Sequence, residues 1–359
     1  MNKFILPIAC FLFLTCLSQE KTNNELDSDN QSKLIHKAFE LFPVNTEIAF
    51  GFIHNGQVTY SGFVKNSNEL EPIKNEQSVF EIGSISKVFT STILANAILE
   101  EKVKIKESVN EHLNFKVHND YEFSMMQLAN HTSGLPRMPG NFIFNSSDPS
   151  NPFKDYGEKA LREFLELYIK LPDKRNVKYE YSNLGAGLLG YALTNIYDKG
   201  YEALLLEKVF KKYEMFNSTT KAEKLTSLLV QGLDNKGKPT SNWDLNILVG
   251  AGGVLSNVED MSKFILAQFN NANKELLLTR KETYSINDDM AIGLGWHIKK
   301  ESNTKRLVWH NGATGGYRSC MVLDIENKNG IVILSNVSGF HESGGKIDKL
   351  AFDLLKIGD

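Results

Sequence analysis

Glu81-Ile82-Gly83-Ser84-Ile85-Ser86-Lys87-Val88-Phe89 opens a run from Ile85 to Leu99 in which Val88, Phe89, Thr92, Ile93, Ala95, Asn96, Ile98 and Leu99 leave little of a helix's circumference polar. Such a helix belongs in a core rather than on a surface. Ser84 is read at its N-terminus, where unpaired amides and the positive end of the dipole favour an alkoxide and supply one donor to a developing oxyanion. Lys87 follows one turn later on the same face. Burial disfavours the charged form of a lysine, so an apolar setting lowers its pKa and makes it a base near neutral pH. The pair reads as an activated serine nucleophile. A lone Ser-x-x-Lys is nevertheless common by chance, and a helix start with a solvated lysine explains it as well.

Two further motifs change the weighting. Tyr181-Ser182-Asn183 precedes the small-residue helical run Ala186 to Leu193. Positions i and i+2 of an extended segment point to one side, presenting a phenol and a carboxamide to one cavity. A tyrosine beside a lysine can relay protons, and an asparagine can bind a substrate carbonyl while positioning the lysine. In Trp309-His310-Asn311-Gly312-Ala313-Thr314-Gly315-Gly316-Tyr317-Arg318, Leu307 and Val308 read as the end of a strand, and the glycines permit close backbone approach to a ligand. His310 is read as a donor to substrate or a member of the proton relay, and the Ala313 amide as the second oxyanion donor. The bland alternatives are a packed tyrosine, an N-capping asparagine and a polar loop histidine.

With all three motifs in this order, the chain resembles the serine β-lactamase and penicillin-recognising family, particularly the branch of class C β-lactamases, D-Ala-D-Ala carboxypeptidases, D-aminopeptidases and related esterases. Ser84 to Lys87 matches its Ser-x-x-Lys, Tyr181 to Asn183 its Tyr-x-Asn, and His310 to Gly312 the His-x-Gly variant of its third motif. Two stretches outside the catalytic motifs, Met126 to Pro136 and Gly250 to Met261, look like the family too. The resemblance implies an α/β, β-lactamase/transpeptidase-like fold and a serine hydrolase working through an acyl-enzyme. Ser84, Lys87 and Tyr181 would be catalytic; Asn183, His310, Gly312 and Ala313 would bind substrate. No cofactor or metal is implied. The expected substrate is a small molecule or peptide: a β-lactam or a D-amino-acid peptide amide, with a carboxylic ester or a penicillin-binding module without turnover as the alternatives.

Departures from the pattern bear on substrate. His-Asn-Gly replaces Lys-Thr-Gly, so an imidazole, mostly neutral at its usual pKa of about 6.5, stands where a cation helps to hold a carboxylate. No glutamine aligns with the one that class C enzymes use for the acyl amide, and Arg137 and Asn141 are its nearest replacements. The usual Pro-Gly before Tyr-x-Asn is missing, with Asp173-Lys174-Arg175-Asn176 in that neighbourhood. Arg318 is the nearest cation in sequence to His310, as a substrate ligand or as a solvated strand residue.

The chain of 359 residues is 42% hydrophobic, enough for one large core or two domains. A net charge of −3 gives no electrostatic preference for nucleic acid. Met1-Asn2-Lys3 and the 14 mostly apolar residues Phe4 to Leu17 read as a signal peptide over residues 1–18, followed by a polar linker over 19–31. Export follows, with two outcomes open: cleavage after Ser18 to a periplasmic or secreted protein, or lipid anchoring at Cys16. Only Cys320 then remains, read as a buried strand residue. Hairpin strands Ile48 to Ile53 and Gln57 to Val64 meet at Asn55-Gly56. Further strands are read at Ile292 to Ile298, Arg306 to Trp309, Gly316 to Leu323 and Gly330 to Leu334, with helices at Ser32 to Phe42 and Lys346 to Ile357 and a capping box at Ser256 and Glu259. Segments 32–85 and 289–359 are thus expected to build one antiparallel sheet domain, and 86–288 a helix-rich insert. The histidines lack metal-ligand spacing, and the absence of Gly-x-Ser-x-Gly at Ser84 argues against an α/β-hydrolase. Oligomeric state is not legible here.

Overall fold

Asn55 (φ 50°) and Gly56 (φ 76°) both adopt left-handed backbone and turn β1 (Glu47–His54) into β2 (Gln57–Asn66), a tight two-residue hairpin of the kind the Asn-Gly pair favours. The computed structural model describes residues 29–67, 69–142, 148–171, 178–302 and 304–357. The signal-peptide reading, Cys16, most of the polar linker and Asp173 to Asn176 lie outside them. From the hairpin the chain continues through β3 (Glu69–Pro72) and β4 (Phe80–Glu81), and β5 (Leu255–Ser256) pairs with β4. The C-terminal part adds β6 (Tyr284–Ser285), β7 (Met290–Ile292), β8 (His297–Lys300), β9 (Arg306–Ala313), β10 (Arg318–Asp324) and β11 (Asn329–Ser335). A nine-stranded antiparallel sheet results, in the order β3-β2-β1-β11-β10-β9-β8-β7-β6. Both ends of the described chain meet where β1 pairs with β11.

Alternation along the strands sends residues to two cores. Ile48 and Phe50 of β1, Cys320 and Val322 of β10, and Ile331 and Ile333 of β11 face α1 (residues 29–39) and α9 (Lys346–Ile357). Ala49, Met321, Leu323, Val332 and Leu334 face the helical region on the other side. That region holds α2 (Ser86–Leu99), α3 (Met125–Ala129), α4 (Glu158–Glu163), α5 (Asn183–Tyr197), α6 (Tyr201–Leu205), α7 (Val258–Gln268) and α8 (Lys274–Arg280). α2 is buried on almost every side, as its uniformly apolar sequence requires.

Three local readings are corrected. The strand expected over Ile292 to Ile298 is a hairpin, because Gly293 N donates to Trp296 O (2.8 Å) and Gly295 takes φ 75°, splitting β7 from β8. The cap of α7 is Asn257, whose side chain accepts from Asp260 N, one residue beyond the Ser256 of the expected capping box. Helix α1 begins by residue 29 and ends at 39, so it takes in three residues read as linker.

Asp348 on α9 clamps the outer helix to the sheet: it pairs with Arg318 of β10 and accepts from Asn311 Nδ2 of β9 (2.6 Å). Both members of the ion pair are mostly buried, at 15% and 23% exposure. Removing one side strands a desolvated charge, so Asp348→Ala is expected to lower stability by about 2 to 3 kcal/mol. The measurement is urea denaturation, with a lower midpoint and an unchanged slope.

Candidate active site

Ser84 lies on a turn that the sheet holds from one side and a glycine-rich segment from the other. After β4 the chain makes one short 3-10 turn, Gly83–Ile85, before α2, so Ser84 sits just ahead of the helix proper. Ser86 Oγ donates to Gly83 O (2.7 Å) and accepts from Val254 N (3.0 Å), which ties the turn to the segment before β5. Ser319 Oγ of β10 donates to Ile82 O (2.8 Å). A Cβ on Gly312 would lie 1.9 Å from that same oxygen, and one on Gly83 would lie 2.6 Å from Ala313 N. Glycine is needed at both places so that β9 can reach the turn. β9 runs to Ala313, four residues beyond the strand read from sequence, which puts the whole third motif on the sheet.

That register orients the Ala313 amide. Thr314 N donates to Tyr317 O (2.9 Å), so the next pair along the ladder, Ala313 and Arg318, is a non-hydrogen-bonded pair. The Ala313 N–H therefore points away from β10, towards Gly83 and Ser84. With the Ser84 amide, which precedes the first intrahelical acceptors, it offers two backbone N–H donors beside the Ser84 hydroxyl.

Lys87 is 2% exposed and its Nζ has three neighbours: Ala251 O at 2.6 Å, Asn183 Oδ1 at 2.9 Å and Ser84 Oγ at 3.0 Å. Burial first, and the positive charge of Arg137 second, hold its pKa well below the ordinary 10.5. A neutral amine has two N–H groups and one lone pair. In that form the two carbonyl oxygens, which can only accept, take the N–H groups and the lone pair faces the Ser84 hydroxyl; the ammonium form would instead donate to all three. Asn183 is the first residue of α5 and is not its cap: Ser182 Oγ accepts from Gly185 N (2.8 Å) in that role. The Asn183 amide group reaches only the weak acceptor Met138 Sδ (3.6 Å) and faces the cavity.

The Tyr181 ring centroid lies 4.8 Å from Lys87 Nζ. Burial raises its phenol pKa, with the neighbouring Ser84 hydroxyl and Arg137 pulling the other way, so the phenol is un-ionised at neutral pH. Three imidazoles gather behind it, with His131, His297 and His310 at 4.5, 6.4 and 6.4 Å between ring centroids. Burial depresses all three below the usual histidine value, His297 to about 4. His310 Nδ1 lies 2.6 Å from Asn311 O and so carries the proton, which leaves Nε2 bare. With Nδ1 engaged by that carbonyl, Nε2 is the ring nitrogen left for a substrate or for the proton relay, and in this neutral tautomer it accepts.

A small cavity of about 40 Å³ lies against Ser84, lined by Asn183, Phe153, Trp243, Leu245, Leu248, Ala313 and Thr314 among others. The Arg318 guanidinium is turned to the opposite face of the sheet and paired with Asp348, so it is neither a substrate ligand nor a solvated residue. Asn141 is committed too, donating to Ala160 O (2.8 Å) and accepting from Tyr156 OH (3.0 Å). Sequence reasoning missed Ala251, His131 and His297. The first two lie in the stretches read as outside the catalytic motifs; His297 follows Trp296 with no spacing that marks it.

The family model for Beta-lactamase matches residues 46–356. The chain therefore belongs to the Beta-lactamase family, hydrolases of β-lactamase/transpeptidase-like fold. Among named relatives it is 24% identical to a Beta-lactamase of Pseudomonas fluorescens over 80% of this chain and 88% of that one. It is 29% identical to a Beta-lactamase of Providencia stuartii (59% and 52%) and 23% identical to Protein flp of Staphylococcus aureus strain MW2 (72% and 53%), so it spans about half the length of these two.

A neutral Lys87 has a thermodynamic signature. The folded chain leaves this amine unprotonated over a range in which the unfolded chain, with its ordinary value of 10.5, still protonates it. Unfolding takes up a proton there, so the residue's contribution to stability rises with pH, by up to about 1.4 kcal/mol per unit, until pH passes the unfolded value. Between about pH 7 and about pH 9 the stability of the parent chain relative to Lys87→Met is expected to increase by up to about 2.7 kcal/mol in urea denaturation. A pH-independent difference would mean that Lys87 is charged in the fold.

Proposed function

We propose that the chain is a serine hydrolase that cleaves amide or ester bonds through an acyl-enzyme, with Ser84 the nucleophile and Lys87 its base. The observation that carries this reading is the arrangement around Lys87 Nζ, in which two carbonyl oxygens consume the N–H groups of a neutral amine and direct its lone pair at Ser84 Oγ 3.0 Å away. As Oγ attacks the carbonyl carbon, its proton passes to Lys87 Nζ, and the carbonyl oxygen becomes an oxyanion between the Ser84 and Ala313 amides. The un-ionised Tyr181 phenol donates to the departing nitrogen or oxygen and recovers a proton from Lys87. The bond to the leaving group breaks as the oxyanion collapses, leaving an ester on Ser84. Water then attacks this ester, losing its proton to the same pair, and Oγ regains its hydrogen. Asn183, held by Lys87 through Oδ1, offers its amide N–H to the substrate carbonyl.

β-Lactams and D-amino-acid peptides are the substrates this reading ranks first, supported by the family and by relatives named Beta-lactamase. Small carboxylic esters come second, supported by the buried neutral His310 in the third motif. Export by the N-terminal segment, with soluble release or lipid anchoring at Cys16, completes the reading and rests on the sequence pattern.

Nitrocefin, a D-Ala-D-Ala peptide and p-nitrophenyl acetate, offered in parallel to the purified protein, test it. Turnover of at least one and labelling by a fluorophosphonate are expected, and both are lost in Ser84→Ala; turnover that survives this substitution would refute the assignment. Lys87→Ala is expected to lower kcat/KM by roughly 10³-fold or more, and Tyr181→Phe by roughly 10²-fold to 10³-fold. The acidic limb of the kcat/KM profile should fall well below the ordinary lysine value, because it reports loss of the neutral base.

A further inference from the structure

A buried carboxylate that the acyl-transfer steps do not use lies close to the cavity at Ser84. Glu81 ends β4, three positions before Ser84, and is only 4% exposed. Its Oε1 accepts two hydrogen bonds from one remote segment, from Trp243 N (2.7 Å) and from Asn242 Nδ2 (2.9 Å). Asn242 Nδ2 also reaches Tyr317 OH (3.0 Å), which donates in turn to Val230 O (2.6 Å). Oε2 is buried beside the Thr314 hydroxyl, and neither atom has another partner.

Trp243 and Thr314 both line the cavity at Ser84. The indole packs on the turn that Thr314 begins: a Cβ on Gly315 would lie 2.6 Å from Trp243 Nε1. It also meets Phe153 (4.9 Å between ring centroids) and the exposed Phe340 (6.1 Å). One carboxylate therefore holds two lining residues that come from remote segments.

Burial pushes the Glu81 carboxyl up to about 7, against the pull of the Thr314 hydroxyl, the Asn242 amide and the Trp243 N–H. The titratable groups that face it are Tyr317, kept un-ionised by burial and by Glu81 itself, and, around an adjoining cavity of about 610 Å³, Glu202, Glu223, Asp244 and Lys221. An ionised carboxylate accepts on both oxygens, and its charge-assisted bonds are roughly twice as strong as neutral ones. Because Oε1 is already occupied by two N–H groups, a proton goes to Oε2. That oxygen then becomes a donor to Thr314, and the hold on Trp243 weakens.

We infer that Glu81 is a positioning residue of the site: its carboxylate draws Trp243 and Thr314 into the lining of the Ser84 cavity, and its protonation loosens them. The inference rests on the acyl-transfer reading above and adds a means of regulating that site by proton concentration. It acts on substrate binding rather than on the Lys87 base.

The first arm of the test reads tryptophan fluorescence and needs no turnover. In the parent and in Ser84→Ala, emission is expected to change with pH, with a midpoint at about 7. The change is expected to vanish in Glu81→Gln and in Trp243→Phe. It should move to higher pH in Thr314→Val, which removes a donor to the carboxylate. Trp309, stacked on His297, responds instead at about 4, where that imidazole titrates. The absence of a transition in the parent between about pH 5.5 and about pH 8.5, or one that persists in Glu81→Gln, overturns the inference. Should Glu81→Gln not fold, an unmoved midpoint in Thr314→Val overturns it.

The second arm measures KM and kcat for whichever of nitrocefin, the D-Ala-D-Ala peptide and p-nitrophenyl acetate is turned over. From about pH 8 to about pH 6 the parent KM is expected to rise about fivefold, the difference between a charge-assisted and a neutral hydrogen bond. In Glu81→Gln the KM is expected to be high and flat, while the fall of kcat towards acid, set by Lys87, is the same in both proteins. Equal KM profiles in the two proteins overturn the inference. If no substrate is turned over in a Ser84-dependent way, the acyl-transfer reading fails, and the fluorescence arm separately decides whether Glu81 moves the lining.

Discussion

An amine with almost no access to water sits where three parts of the chain converge: α2, the start of α5 and the glycine-rich segment at Ala251. Removing a charged ammonium from water is costly, so burial pushes Lys87 towards its uncharged form. The chemistry follows from that constraint. The lone pair must face the serine because the other two neighbours can only accept, and Tyr181, buried beside the same group, keeps its proton for the same dielectric reason. One desolvated pocket thus moves in opposite directions the pKa values of two groups whose ordinary values lie close together.

The sheet supplies the second half of the site through backbone geometry. β9 approaches the nucleophile turn so closely that neither Gly83 nor Gly312 has room for a Cβ, and the tight turn from Thr314 to Tyr317 sets the hydrogen-bonding phase that aims the Ala313 amide outward. The same pleat decides the side chains. His310 faces the helical region and Tyr181, while Asn311 and Arg318 reach Asp348 of the outer helix. Moving β9 by one residue would exchange these sets, so the ladder with β10 and the clamp at Asp348 bear on the geometry around Ser84 as well as on stability.

Much of the fold is legible because its signals are local. Asn55-Gly56 requires left-handed backbone at two consecutive positions, Lys346 to Ile357 is amphipathic at helical period, and the apolar circumference of α2 admits only a buried helix. The misreadings are also local. Gly293-Leu294-Gly295-Trp296 carries apolar residues of a kind that continue a strand, and only the Gly293-to-Trp296 hydrogen bond reveals a turn there. At α7 a serine and an asparagine in succession both suit the cap, and packing selected Asn257.

By itself the sequence determined the family, the mixed α/β architecture and the short-range part of the site. Ser84 and Lys87 share a helical face and Tyr181 and Asn183 share a side because a helix and an extended segment repeat with fixed periods. What only the tertiary structure decided is everything that depends on burial and on partners remote in the chain: the Ala251 carbonyl on Lys87, the imidazoles of His131 and His297 behind Tyr181, the tautomer of His310, and the capture of Arg318 by Asp348 while Arg137 stays free of any described carboxylate. Spacing cannot encode these, because a pKa and a choice of hydrogen-bond partner are set by the local dielectric and by distances of a few ångströms between segments that only folding brings together.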